Sequence, residues 1–243
     1  MIRNLAAYQF VPIHDPDLLV QSLRVHCVDA GLLGTIVVAD EGINCFVAGM
    51  PVAVGGFIDW LKSDPRFAAM PVKLSDSDSV PFKRLRVKRR REIITFRRPH
   101  IVPSTGRAPS VSAQTLSRWL KAGRDDCGRE LCLLDTRNEQ EVAHGTFAGA
   151  LTLPIAGFTQ LPEALEPHRA SMQGKTIVSF CTGGIRCEKS ALWMREAGYE
   201  NVLQLDGGIL GYFEQVGGFG FHNRCFVFDE RVALDPELTP LHR

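Results

Sequence analysis

The sequence predicts an α/β protein of two domains, an α+β sheet domain followed by a doubly wound parallel-sheet domain. Three observations lead there. At 243 residues the chain exceeds the usual ~100–200 residues of one domain. A Pro-, Ser-, Gly- and Arg-rich stretch without apolar period interrupts it from 97 to 109. Across that break the pattern changes from a hairpin flanked by helices to single strands alternating with helices.

In the first half, Leu5 to Val11 is expected as a strand, and Asp15 with Pro16 supplies an N-cap and first-turn proline for a helix that Gly31 ends. Thr35 to Ala39 and Ile43 to Ala48 flank the turn Asp40-Glu41-Gly42 as a hairpin, and a helix follows from Pro51 to Ser63. Val72 to Ser75 and Leu85 to Phe96 complete a strand, helix, strand, strand, helix, strand order, which is ferredoxin-like.

In the second half, helices are expected at Val111 to Ala122, Asn138 to Ala143, Thr159 to His168 and Cys187 to Ala197. Strands are expected at Leu131 to Asp135, Ala150 to Pro154, Thr176 to Cys181 and Val202 to Leu205. The division is therefore 1–96, a linker at 97–110, a second domain at 111–220 and a tail at 221–243.

A hydrophobic share of 45% and a charged share of 23% fit a soluble globular protein and exclude fibrous or disordered classes. Every apolar run is shorter than the ~18–20 residues of a membrane helix. The seven cysteines (27, 45, 127, 132, 181, 187 and 225) are odd in number and irregularly spaced, and no apolar leader precedes them, which points to the reducing cytoplasm.

The net charge of +1 conceals a local excess. Lys83, Arg84, Arg86, Lys88, Arg89, Arg90, Arg91, Arg97 and Arg98 face only Glu92 within their own segment, while the rest of the chain is net negative. Most charge runs are solvated faces, but this one offers no internal pairing. Leu85 and Val87 alternate with Arg84, Arg86 and Lys88, so a strand here would bury one face and project cations from the other. A polyanion partner is expected, with Arg84, Arg86, Lys88, Arg89, Arg90 and Arg91 as the contacting residues.

The chemistry is expected in Cys181-Thr182-Gly183-Gly184-Ile185-Arg186, where a buried strand returns through a glycine-rich turn into a helix, the place where α/β sheets bind ligands. A thiol there faces backbone N–H groups, the positive end of a helix and Arg186, so its thiolate is stabilised. Cys181 is the candidate nucleophile, Arg186 its partner, and Cys187 a candidate resolving thiol, the plain alternative being a packed first-turn residue. His26, His100, His144, His168 and His222 lack metal-ligand spacing, and no metal site is expected. Trp60, Trp119 and Trp193 are assigned to packing, and Asp135 and Arg137 to structure.

The six-residue loop resembles the active-site loop of the rhodanese family, with Cys181 where that family carries a persulfide. Asp135-Thr136-Arg137 with Glu141 and Gly145 to Ala150 resembles the strand and turn beneath it, and Leu205-Asp206-Gly207-Gly208 its closing motif. Cys181 to Lys189 is more specifically similar to the tRNA uridine hydroxylase family of rhodanese-like proteins. Gly34 to Asn44 with Glu41-Gly42-Ile43-Asn44, Asp64 to Phe67, and the basic stretch resemble that family's acylphosphatase-like N-terminal domain. Members often extend into a cysteine-rich tail. Here Phe226 to Arg231 matches, and Cys225 is the last cysteine before Arg243.

The resemblance implies an acylphosphatase-like domain joined to a rhodanese-like domain. It also implies tRNA as partner and 5-hydroxyuridine formation at the wobble position, with molecular oxygen as co-substrate and no other cofactor evident. A substrate-facing role for Glu41 and Asn44 is implied beside the plainer one of closing a hairpin. The alternative is a thiosulfate or persulfide sulfurtransferase serving a small molecule or protein thiol through a sulfur donor. A non-catalytic module would lack the intact cysteine, and a cysteine phosphatase needs a longer loop. Oligomeric state is left unassigned.

Overall fold

Strand alternation builds the first unit, residues 1–95 of a computed structural model that describes residues 1–240. Its elements are β1 (Ile2–Phe10), α1 (Pro16–Asp29), β2 (Leu33–Ala39), β3 (Gly42–Gly49), α2 (Pro51–Ser63), β4 (Val72–Ser77) and β5 (Leu85–Arg89). The sheet order is β4-β1-β3-β2-β5, antiparallel except that β5 runs parallel to β2. Leu5, Ala7, Ile36, Val38, Ile43, Cys45, Val47 and Val87 share one face and form a core with Leu19, Leu23 and Cys27 of α1 and Val54, Phe57 and Leu61 of α2. Strand parity puts Ala6, Tyr8, Phe10, Thr35, Val37, Asn44 and Phe46 on the other face.

Helix α1 ends as expected at Gly31, with the N–H groups of Gly31 and Leu32 bonded to the carbonyls of Val28 (3.0 Å) and Cys27 (2.9 Å). Asp15 occupies the N-cap position without a cap bond; its carboxylate pairs with Arg66 instead. The last strand stops at Arg89 and does not reach Phe96. Side chains of the β2–β3 hairpin hold the chain beyond it: Glu41 Oε1 accepts the Ile93 N–H at 2.7 Å, and Asn44 Nδ2 donates to the Ile93 carbonyl at 3.4 Å. These bonds replace the ladder.

The cationic segment, read in sequence as offering no internal pairing, finds some of its partners elsewhere in the chain. Arg89 pairs with Asp17 and with Asp40 (3.3 Å), acids far away in sequence, and Arg98 pairs with Glu163 at 2.9 Å. Arg84, Arg86, Arg90 and Arg91 are exposed and Lys88 is half-buried.

The second unit begins at Phe96. It contains β6 (Ser110–Val111), α3 (Ala113–Ala122), β7 (Leu131–Asp135), α4 (Glu139–Val142), β8 (Gly145–Phe147), α5 (Leu161–Leu165), α6 (Arg169–Met172), β9 (Thr176–Phe180), α7 (Ile185–Glu196), β10 (Val202–Leu205), α8 (Gly208–Val216), β11 (Phe221–Asn223), β12 (Cys225–Phe226) and β13 (Ala233–Leu234). Four parallel strands follow the order β6-β10-β9-β7. Leu116 and Trp119 of α3 and Ile209, Tyr212 and Phe213 of α8 share a core with Leu133, Val178, Phe180 and Leu205 of the sheet. Helix α7 packs against β9 and β10.

Several expectations change here. The helix expected over 159–168 is broken into short helical turns and α5 by Pro162 and Pro167, which lack the N–H that continues a helix. The strand expected over 150–154 shrinks to one parallel bridge between Leu151 and Leu134, and Pro154 has no N–H to extend it. Val111 belongs to β6, and α3 starts after Ser112, whose hydroxyl accepts the Thr115 N–H at 3.2 Å. Helix α7 starts at Ile185, two residues before the expected Cys187.

The stretch expected as a linker packs onto the second unit. Ile101, Pro103 and Ala108 are buried, and Arg107 bonds Glu188 (2.8 Å) and Asp206 (2.9 Å). Phe96 stacks on Phe158 with ring centroids 4.6 Å apart. The expected tail at 221–243 contributes β11, which pairs with β8, and the β12–β13 pair; its last three residues lie outside the described residues. No helix among the described residues is long and apolar enough to cross a membrane.

Candidate active site

Strand β9 is buried throughout and delivers Cys181, itself 1% exposed, to the carboxyl edge of the sheet. The chain then turns through Thr182, Gly183 and Gly184 into α7. Gly184 is the N-cap residue at φ 100°, a left-handed conformation that glycine adopts without strain. Its N–H donates to Cys181 Sγ at 3.1 Å. The loop is held from outside by the start of α8, where the N–H groups of Ile209 and Leu210 donate to the carbonyls of Cys181 (2.9 Å) and Thr182 (3.0 Å). The Thr182 hydroxyl donates to the Phe226 carbonyl at 3.2 Å.

This anchoring needs Gly208. Its φ is +63°, and a Cβ there would lie 2.5 Å from the Cys181 carbonyl oxygen and 2.6 Å from the Gly184 nitrogen. The sequence contained the motif, but α8 itself was not expected, because its first four positions, Gly208 to Gly211, are all small or apolar and Gly207 before them is no side-chain cap.

Burial by itself would raise the Cys181 pKa. A hydrogen bond from the Cys187 thiol, the Arg186 charge and the backbone N–H groups of Arg186 and Gly184 outweigh it, and the pKa falls from the ordinary thiol value to about 6. Cys187, fully buried in the first turn of α7, moves the opposite way: burial, and then its bond to Cys181, push it well above the usual thiol range. At neutral pH the pair is one thiolate and one thiol. Cys225, also buried, is pushed up to about 12 mainly by burial.

Arg186 is nearly buried, and its Nη2 bonds Glu141 at 2.9 and 3.0 Å. Nη1 is a buried donor without a hydrogen-bond partner among the described residues. The guanidinium also lies 5.6 Å from the ring centroid of Phe228, which is 53% exposed. Thus Arg186 reaches Cys181 through its charge and its backbone, while its side chain is fixed by Glu141. Glu141 also accepts the Asn138 N–H at 3.1 Å. Glu141 stands within a recognisable sequence motif, but no local signal points to a partner 45 residues away.

Asp135 and Arg137 are fully buried and bond each other at 2.6 Å, and Arg137 also donates to the Gly145 carbonyl at 2.6 Å, which ties β7 to β8. Glu188 bonds Arg107 and, at 3.1 Å, Gln204. The loop residues Thr182, Gly183, Gly184 and Ile185 therefore come together with Cys181, Arg186 and Cys187, as expected from sequence. The basic residues from Arg84 to Arg91 belong to the other unit. Among the described residues no cluster of three or more His, Cys, Asp or Glu side chains is placed to hold a metal ion.

Removing the Glu141 charge tests how tightly the site is built. Glu141→Gln leaves the buried Arg186 guanidinium without its counterion, and a cost of about 3 kcal/mol is expected. Urea unfolding of the two proteins measures it; an unchanged midpoint would contradict a structural role for the pair.

The two parts of the chain match two different domain families. Residues 2–93 match the UPF0176 acylphosphatase-like domain, and residues 112–215 match the rhodanese-like domain. The chain is 61% identical over 241 residues to the tRNA uridine(34) hydroxylase of Xanthomonas axonopodis pv. citri (strain 306), covering 99% of this chain and 97% of the relative. It is 59% identical over 242 residues to the tRNA uridine(34) hydroxylase of Xylella fastidiosa (strain 9a5c), covering 100% of this chain and 94% of that one. Among solved structures, the rhodanese-like domain of an Anabaena sp. protein matches with a TM-score of 0.38 and 21% identity, covering 47% of this chain and 79% of that domain.

Proposed function

Because the chain belongs to the tRNA uridine(34) hydroxylase family, we propose that it is an oxidoreductase that converts the wobble uridine of tRNA to 5-hydroxyuridine, with molecular oxygen as co-substrate. The observation that carries the reading to this chain's own chemistry is the Cys181 thiolate, formed near neutral pH inside an intact loop of backbone donors. A binding module has no use for such a thiol. Relatives of this similarity carry the hydroxylase name, and no feature of the site favours sulfur transfer to a small molecule or protein thiol.

In this reading Cys181 is the nucleophile that engages the substrate. Arg186 keeps a positive charge beside it, and its free Nη1 takes developing negative charge on a uracil oxygen. At 1% exposure Cys181 is closed to a base inside a duplex, whereas a loop nucleotide can unstack and enter. The exposed ring of Phe228, beside Arg186, gives such a base a surface to lie on. Arg84, Arg86, Lys88, Arg90 and Arg91 neutralise tRNA phosphates, and Arg89, already paired, contributes less. Cys187 serves Cys181 first as a hydrogen-bond donor. The site of action is the cytoplasm.

The test is direct. One oxygen atom enters the uracil C5–H bond and the other leaves as water, a balance that takes two electrons from a thiol reductant; purified protein incubated with undermodified tRNA and dithiothreitol under oxygen-18 gas is expected to yield 5-hydroxyuridine carrying the heavy isotope, read by nucleoside mass spectrometry. Product carrying only light oxygen would remove molecular oxygen as the source, and no product at all would overturn the hydroxylase assignment.

A further inference from the structure

The face of the first unit's sheet opposite its helices, met at Asn44 by the Ile93 backbone, has a composition that neither the loop chemistry nor the basic segment accounts for. Register places Lys73, Ala6, Phe46, Thr35 and Arg86 in one row across β4, β1, β3, β2 and β5. The neighbouring row carries Tyr8, Asn44, Val37 and Lys88. By the same parity the strands place three cations and no carboxylate on this face; their one acid, Asp76, falls on the opposite side beside Arg3. Phe46 and Tyr8 are half-buried, as are Ala6, Thr35 and Val37 around them. Both aromatics sit on the central strands β1 and β3, at diagonal cross-strand positions about 7–8 Å apart.

We propose that this face is a platform for the unpaired nucleotides of the tRNA anticodon loop, which stack on Phe46 and Tyr8 while Lys73, Arg86 and Lys88 take their phosphates. Aromatics on the central strands of a four-stranded sheet, with basic residues at its margins, are the arrangement by which sheet-based RNA-recognition domains hold splayed bases. The charge balance selects the occupant. An amphipathic helix or a second copy of the chain would leave three cations facing an apolar or mixed surface, whereas a phosphate backbone neutralises them. A duplex offers phosphates but no base faces to stack. The proposal rests on the reading that tRNA is the substrate, and it adds which part of the tRNA this unit grips.

The experiment uses the full chain, with fluorescence anisotropy on two probes: an anticodon stem-loop RNA and a blunt RNA duplex of equal length. Tyr8→Leu with Phe46→Leu is expected to weaken stem-loop binding about tenfold for each aromatic removed, while duplex binding is unchanged. Arg86→Gln with Lys88→Gln is expected to flatten the dependence of log affinity on log salt by about 0.7 for each phosphate no longer neutralised. Thr35→Glu, a change at a half-buried position of the same row between Phe46 and Arg86, is expected to weaken stem-loop binding with the fold intact by circular dichroism, which guards against a leucine variant that fails to fold. Unchanged stem-loop affinity in the folded leucine or Thr35→Glu variants overturns the platform, as does equal loss on both probes. Wild-type hydroxylation is measured in parallel. If it is absent, the activity assignment fails while the binding result still decides the platform; if it is present and the variants bind normally, the platform alone fails.

Discussion

Cys181→Ser is expected to lower 5-hydroxyuridine formation by on the order of 10³-fold or more, the scale of removing a nucleophile that acts together with its surroundings. Serine fits the space and keeps the Gly184 N–H bonded, so the fold should persist, but a hydroxyl does not ionise in this pH range. Turnover by the serine variant within tenfold of wild type would exclude Cys181 as the nucleophile. The pH profile adds a second readout. A thiol with pKa near 6 is mostly protonated below that value and mostly thiolate above it, so alkylation of Cys181 by iodoacetamide should rise with pH and level off before pH 8. Cys187→Ala deletes the thiol that donates to the thiolate, which disfavours the charged form; the inflection should move to higher pH, with less thiolate at pH 7. An unmoved inflection would leave Cys187 as a packing residue. Peptide mass spectrometry separates these signals from the exposed Cys127.

What the sequence disclosed depends on how local each signal is. Helix α1 was legible because Pro16 and Gly31 mark its two ends within the segment itself, and β2–β3 because a polar turn joins two β-branched runs. The Cys181 loop was legible for the same reason, since cysteine, paired glycines and arginine fall within six residues. The misses are of the opposite kind. Strand β5 looked long because Ile93 and Ile94 continue an apolar pattern, yet Glu41, some fifty residues earlier, takes the Ile93 N–H. The stretch from 97 to 110 looked like a linker by composition, and only the fold brings Arg107 to Glu188 and Asp206. Arg89 looked unpaired because Asp17 and Asp40 lie outside its segment. The pairing of Arg186 with Glu141 is likewise a product of β7 and β9 lying side by side. Propensity sees neighbours in the chain, and these contacts are between neighbours in the sheet.

Gly208→Ala is expected to have the second-largest effect, in a residue that touches no substrate. The added methyl would meet three backbone atoms, the Cys181 carbonyl oxygen, the Gly184 nitrogen and the Gly183 carbonyl carbon, and none can swing away as the end of a side chain would. The left-handed φ of +63° adds a further penalty for any residue with a Cβ. Relief requires α8 to back away, which breaks the N–H bonds from Ile209 and Leu210 to the loop carbonyls, or the loop itself to shift, which moves the Gly184 N–H off Sγ. Either displacement is of the order of 1 Å, enough to cost about 100-fold in turnover when a reacting group is misplaced. Because the thiolate depends on those same donors, the Cys181 inflection should rise in this variant too. A simple loss of stability would lower the melting temperature and leave the inflection of the folded fraction near 6. The pH profile therefore separates a displaced cradle from a weakened fold: an inflection still near 6, with full activity per folded molecule, would show that the loop keeps its shape without the close approach of α8.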